Sequence, residues 1–196
     1  MTAATSRDAA LVFAAVVFLF GGMAMLAGAP GTAALTAVVL AWACGALWRI
    51  AAIDGQRLRI DPWWLLVLVG AGALWQLQTV GPDIDEGLMR AMAGAGIGFL
   101  VGAAPLVLAG ALGRRWPFHP GDVLLFAAIG WLLGPWGLLW ALSTGSVCAL
   151  ARHAWVQRRR GRSWLRGHVP LGPGMAFGAA LVLAGAALGR FDVGLG

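Results

Sequence analysis

Ionisable side chains are scarce in this sequence. Charged residues occupy 11% of the 196 positions, whereas hydrophobic residues occupy 60%. A soluble domain carries about twice that share of charge, so the composition excludes an ordinary water-soluble globular protein. The apolar stretches are continuous and do not alternate as they would in a β-barrel. The composition therefore predicts an all-α, polytopic bundle of transmembrane helices.

The sequence has no lysine and only two cysteines. These features bear on nucleic-acid binding and on cysteine-based sites. All 14 basic residues are arginine, and most of them lie in loops between apolar segments, where membrane topology accounts for them. Because topology accounts for these arginines, we expect no nucleic-acid partner in spite of the net charge of +6. Cys44 and Cys148 each lie within an apolar segment, without a C-x-x-C motif. This excludes a cysteine-based zinc site and a disulfide framework.

Apolar runs punctuated by glycine, proline and charge predict about seven membrane segments in a single domain covering residues 1–196. The segments are 9–29, 33–53, 62–80, 88–112, 121–134, 136–155 and 171–190. A helix needs about 20 residues to cross a bilayer, so the fifth segment is short for a span. The first run is longer than the core of a signal peptide, so we expect it to be retained as a helix.

The fifth and sixth segments could instead form one long helix. Pro135 disfavours that alternative because it has no amide N–H and restricts the backbone of Gly134. A hairpin at this point also puts the arginine-rich loops on one side of the membrane; these are 54–61, 113–120 and 156–170. The positive-inside rule then predicts a cytoplasmic N-terminus.

Gly94, Gly98 and Gly102 recur at four-residue spacing in the fourth segment. Small residues at this spacing allow two helices to approach closely. The pattern predicts packing within the bundle, with a dimerisation face as the alternative. The sequence predicts no particular oligomeric state.

Two aspartates give the chain a possible chemistry. Asp54 follows the second segment and Asp122 begins the fifth, so the predicted topology puts both on the cytoplasmic side. A carboxylate beside a bilayer is costly, which makes the pair a functional-site hypothesis. Two facing carboxylates can share a proton, so one can activate water while the other protonates a departing amine. The alternative is that both are ordinary polar residues at helix ends.

Other polar groups are weaker candidates. The three hydroxyls of the sixth segment have no predicted base nearby; they are Ser143, Thr144 and Ser146. The three histidines are not at metal-ligand spacing; they are His119, His153 and His168. The acidic loop at 81–87 balances the arginine-rich side. We therefore predict no metal site and no cofactor.

Three motifs resemble those of the type IV prepilin peptidases, membrane aspartic proteases of the GxGD class. PGDVLLFAAIGWLLG at 120–134 looks like the family segment G-x-G-D-V-K-L-L-A-A-x-G-x-x-L-G. IDGQRLRIDPWWLL at 53–66 resembles the first motif, an aspartate six residues before the isoleucine of Ile-Pro-Asp/Asn. VPLGPGMAFGAAL at 169–181 is similar to the closing motif I-P-F-G-P-x-x-A-x-G. The resemblance covers roughly residues 10–190, with the motifs in the family's order.

The resemblance implies roles for residues in all three motifs. Asp54 and Asp122 correspond to the catalytic dyad, and Gly121 corresponds to the glycine before the second aspartate. The remaining supporting positions are His119, Pro120, Pro170, Gly172 and Pro173. By resemblance, the substrate is a prepilin or pseudopilin whose leader is cut on the cytoplasmic side of the bacterial inner membrane. No cofactor is implied.

The sequence departs from the family pattern at several positions. His119 and Pro120 replace the first two residues of G-x-G-D, and Leu124 replaces the usual lysine. Ile-Pro-Asp is found as Ile60-Asp61-Pro62, with two residues exchanged. The paired C-x-x-C motif of the bifunctional members is missing, so N-methylation is not expected. A non-catalytic relative in a pilus or secretion machine is one alternative, and a small transporter with an intramembrane acid is another.

Overall fold

The computed structural model describes residues 30–57, 60–79, 83–113, 120–159, 161 and 171–187, which contain five α-helices and no strand. The helices are α1 (Pro30–Arg57), α2 (Pro62–Thr79), α3 (Ile84–Ala111), α4 (Pro120–Arg159) and α5 (Leu171–Ala187). The all-α prediction is confirmed for this part of the chain. The predicted first segment, 9–29, lies outside the described residues.

Three stretches of helix are long and apolar enough to cross a membrane; they are Leu35–Asp54, Ile84–Ala111 and Pro120–Arg159. Proline stands at the first position of α1, α2 and α4, where its fixed φ suits a helix and its missing N–H has no intrahelical partner to lose. At the start of α2, the Asp61 carboxylate accepts a hydrogen bond from the amide of Trp63 at 3.0 Å. Asp61 therefore caps this helix.

Helix α4 is interrupted at Gly134. This residue has φ +71° and ψ −179°, a backbone conformation that essentially only glycine adopts. Pro135 follows and cannot donate a hydrogen bond to the carbonyl of Trp131. The amide of Gln76 from α2 donates instead, at 3.3 Å to Trp131 O and 3.2 Å to Leu132 O. The break falls at the boundary where the sequence predicts a turn.

Contacts along the first half of α4, residues 120–133, define its direction. Helices α1 and α2 are antiparallel, because Thr36 near the start of α1 donates to Gln78 near the end of α2 at 3.2 Å. The first half of α4 runs parallel to α2. Its Gly121 packs against Ile60 just before α2 begins, and its Trp131 donates to the carbonyl of Val69 at 3.0 Å.

The second half of α4, residues 135–159, runs back in the opposite direction. Helix α5 begins beside Asp54, because Gly172 packs against that side chain. Further along α5, Gly174 lies against Ala149 and Gly178 lies against Ala141. The second half of α4 is thus antiparallel to α5 and returns to the end of the bundle where α4 began. We call the end that holds Asp54, Ile60 and Gly121 the aspartate end.

Helix α3 packs against the first half of α4 through small residues. A Cβ at Gly94 would overlap the backbone of Gly130, and a Cβ at Gly98 would overlap the backbone of Phe126. Gly102 lies similarly close to Val123. The prediction that this glycine series mediates packing within the bundle is confirmed. The large apolar side chains of α3 are exposed, among them Met89, Phe99, Leu100 and Val107.

The hydrophobic core lies inside a ring formed by α1, α2, α4 and α5, in which each helix packs against the next. Within the described residues, no Cα of α1 lies within 8 Å of a Cα of α4, so these two helices stand diagonally opposite. The core side chains come from all four; the largest fully buried ones include Leu40, Leu47, Ile50, Leu68, Leu125, Ile129, Leu132, Met175 and Leu183.

Gly134→Ala tests the break in α4. The new methyl would lie 3.1 Å from Cγ of Arg90 in a backbone region closed to alanine, so we expect a loss of about 1–3 kcal/mol in the free energy of unfolding. Gly70→Ala is the control, because a Cβ there meets no atom within 4 Å. It should be neutral or stabilising by about 0.5–1 kcal/mol. Unfolding in mixed micelles measures both, and equal stability of the two variants would contradict the assignment.

Candidate functional site at the aspartate end

Asp54 lies on the core-facing stripe of α1. It follows Ile50, Leu47 and Ala43 at intervals of four, three and four residues, and all three are buried. Residues at these spacings share one face of a helix. The Asp54 side chain itself is only 5% exposed. The last turns of α1 therefore carry a carboxylate into the end of the hydrophobic core.

Asp122 has the matching position on α4. It precedes Leu125, Ile129 and Leu133 at intervals of three, four and four residues, and these three side chains are also buried. Asp122 is partly buried and is the third residue of its helix. The amide groups and the dipole at a helix N-terminus favour a carboxylate in this position.

The two aspartates therefore close the same end of one core from diagonally opposite helices. Their Cα atoms are more than 8 Å apart, as are all described Cα pairs between α1 and α4. The backbones are thus not in direct contact. Two connections link their surroundings: one lies against Asp54, and the other lies beside Asp122.

The first connection is helix α5, which begins against Asp54. A Cβ at Gly172 would lie 2.8 Å from Cγ of Asp54, so a larger residue in this first turn of α5 would displace the carboxyl group. Gly172 is one of the residues assigned to the closing motif by resemblance. Pro173 follows it, partly buried in the same first turn. The structure thus brings the first and last motifs together.

The second connection is the segment before α2, which lies against the start of α4. A Cβ at Gly121 would lie 3.1 Å from Cβ of Ile60, so Gly121 is packed against the isoleucine of the first motif. Trp64 packs against the core, and the guanidinium of Arg49 lies 5.4 Å from the centre of its ring. Gly121, which is next to Asp122, therefore touches Ile60, which follows Asp54 in the first motif.

Two departures from the family pattern have a local structural explanation. The exchanged residues in Ile60-Asp61-Pro62 put a capping carboxylate directly before α2 and proline at its first position. Pro120 is likewise the first residue of α4 and is exposed. Neither proline interrupts a helix. The predicted supporting residues His119 and Pro170 lie outside the described part of the chain.

Some polar residues near the site were not assigned any role from the sequence. His153, in the second half of α4, is 9% exposed, and its Nε2 atom has no hydrogen-bond partner. Arg49, whose guanidinium lies over the ring of Trp64, is another such residue. In the described helices, no three side chains among histidine, cysteine, aspartate and glutamate come together as a metal site would require.

Comparison with known proteins gave no relative. No protein-family model matches the sequence, no curated protein matches it, and no solved structure matches the fold.

A disulfide between Ile60→Cys and Gly121→Cys tests whether the first two motifs meet. A Cβ at position 121 would lie 3.1 Å from Cβ of residue 60, somewhat closer than the roughly 3.8 Å typical of a disulfide, so mild oxidation should link the two cysteines after a small shift. The background variant replaces Cys44 and Cys148, and counting free thiols with a maleimide reagent measures the link. The pair Ile60→Cys and Gly110→Cys is the control and should remain reduced. Equal oxidation of both pairs would refute the packing.

Proposed function

We propose that this protein is a membrane aspartic endopeptidase that removes the leader peptides of prepilin-like proteins. The observation that supports the proposal is the position of Asp54 and Asp122 at one end of a single apolar core. Asp54 is buried beside Ile50 and Leu47, where an ionised carboxylate has a considerable desolvation cost. The position of two carboxylates on separate helices at the same end of the core favours acid–base chemistry.

The proposed reaction needs one ionised and one protonated carboxyl group. The ionised group takes a proton from water, whose oxygen forms a bond to the scissile carbonyl carbon. When the carbon–nitrogen bond breaks, the protonated group donates its proton to the departing amine. Both aspartates lie beside a helix N-terminus, Asp122 in the first turn of α4 and Asp54 against the first turn of α5. These dipoles offset part of the cost of the negative charge.

Charge along the bundle supports a cytoplasmic location for the aspartate end. Arg158 and Arg159 lie at the end of α4 that returns to the aspartates. The exposed acids Asp83, Asp85 and Glu86 lie at the opposite end, where α3 begins. The position of the two arginines is the one that the positive-inside rule associates with a cytoplasmic aspartate end, and the acids at the other end contribute little to that rule. We accordingly propose about seven spans in a bacterial inner membrane, with the N-terminus in the cytoplasm.

The second candidate is a non-catalytic relative within a pilus or secretion machine. The separation of the two Cα atoms by more than 8 Å favours it, because direct coupling of the carboxyl groups then requires both side chains to extend inward. The proline and histidine in place of the usual glycine pattern before Asp122 point the same way. The two candidates differ in whether either aspartate affects leader cleavage.

Asp54→Asn and Asp122→Asn should each reduce cleavage by about 10²–10⁴-fold, because either change removes one member of the acid–base pair. The measurement is co-expression with a prepilin and detection of a leader-sized mobility shift. Asp61→Asn is the matched control, since asparagine also caps a helix and this exposed residue lies outside the core. Cleavage by both core variants at wild-type rate would favour the non-catalytic candidate.

Gly172→Ala should lower cleavage by about 10²-fold while the protein remains inserted. The added methyl would displace the Asp54 carboxyl group, and misplacement by about 1 Å has a cost of that order. Gly70→Ala, in open space on α2, serves as the control. Normal cleavage by Gly172→Ala would mean that α5 does not position Asp54.

A further inference from the structure

A cavity lies at the end of the bundle away from the aspartates. It has a volume of about 160 Å³ and lies between α2, the start of α3 and Trp131 of α4. Its lining is almost wholly apolar and includes Ala73, Leu77, Leu88 and Ala91. Gln76 is the one polar side chain of the lining, and its amide already donates to two carbonyls of α4. We call this space the α2–α3 cavity.

The α2–α3 cavity is open on its outer side. Leu77, Ile84 and Leu88 line it and are themselves 51%, 59% and 46% exposed, respectively. The exposed side chains of both helices are mostly apolar beyond the first turn of α3, and α3 is one of the helices long and apolar enough to cross a membrane, so we expect the opening to face the bilayer. An apolar cavity of this size excludes water and accepts hydrocarbon.

The spacing of α2 and α3 limits the diameter of a molecule that can enter the α2–α3 cavity. Only residues 80–83 separate α2 from α3, and Cα atoms of the two helices approach within 8 Å of one another. A transmembrane helix with its side chains is about 10–12 Å across, so it cannot enter between them. A single hydrocarbon chain is narrower, and a volume of about 160 Å³ is enough for part of one. The occupant is therefore an acyl chain and not the apolar helix of a protein partner.

Charge beside the cavity favours one kind of headgroup. Asp83 and Asp85 do not line the cavity, but they flank Ile84 in the chain, which does, and both are exposed. Glu86 is paired with Arg90 at 3.0 Å, but neither Asp83 nor Asp85 has an ion-pair partner within the described residues. Two unpaired carboxylates repel an anionic phosphate headgroup and attract an ammonium group.

We propose that the α2–α3 cavity binds one acyl chain of a zwitterionic aminophospholipid, with its ammonium group beside Asp83 and Asp85. The bound chain fills the space behind Gln76, which holds the carbonyls at the break in α4. This site is distinct from the aspartate end and does not depend on the proposed peptidase activity.

Native mass spectrometry of the full-length protein with equal amounts of dioleoyl phosphatidylethanolamine and dioleoyl phosphatidylglycerol tests the proposal. The wild-type protein should retain one phosphatidylethanolamine, with a preference of about fivefold or more over phosphatidylglycerol. Ala73→Leu fills the cavity and should reduce that retention several-fold. Ala93→Leu is the control, because it adds the same bulk to an exposed position of α3 outside the cavity.

A second variant keeps the test decisive if Ala73→Leu does not fold. Asp83→Asn with Asp85→Asn changes two exposed residues and leaves the cavity intact, so it should abolish the headgroup preference while a chain is still retained. Asp54→Asn should bind lipid like the wild type, which separates this result from the fate of the peptidase proposal. Equal retention by Ala73→Leu and Ala93→Leu, a preference for phosphatidylglycerol, or no retained lipid would overturn the proposal.

Discussion

The reversal of the chain at Gly134 is the constraint on which the rest of the structure depends. If α4 continued as one helix of 40 residues, its second half would extend about 60 Å from Pro120 and carry α5 away from α1. Because the chain turns back, Gly172 reaches Asp54 and the first and last motifs meet. The turn requires a positive φ, which glycine supplies, and a hydrogen-bond donor for the carbonyls of Trp131 and Leu132, which α2 supplies through the side-chain amide of Gln76.

The helices around this turn approach one another closely at glycine residues, which have no side chain to hold them apart. Gly94 and Gly130 touch through their backbones, and the start of α5 lies against α1 and α4 through Gly172 and Gly174. Between apolar helices in a bilayer, close van der Waals contact replaces the hydrophobic effect as the source of stability. Small residues thus hold the bundle together, while the large side chains of α3 remain on the outer surface.

Local features of the sequence predicted much of this arrangement. The glycine spacing of α3 indicated a packing face because a four-residue repeat lies on one side of a helix. The Gly134-Pro135 pair indicated a break because both residues act on the backbone at their own positions. Gln76 was not recognised, since nothing near it in the chain shows that two carbonyls 55 and 56 residues away need a donor. The contact of Gly121 with Ile60 was hidden for the same reason.

The sequence by itself determined the class of the protein, the approximate extent of each described helix and the two aspartates at helix ends, because composition, periodicity and backbone restriction are local properties. Only the tertiary structure decided that Asp54 and Asp122 lie on core-facing stripes at one end of a shared core, with Gly172 against the first of them. That outcome depends on which helices become neighbours. Helix neighbours are selected by the fit of whole surfaces, which no single stretch of residues encodes.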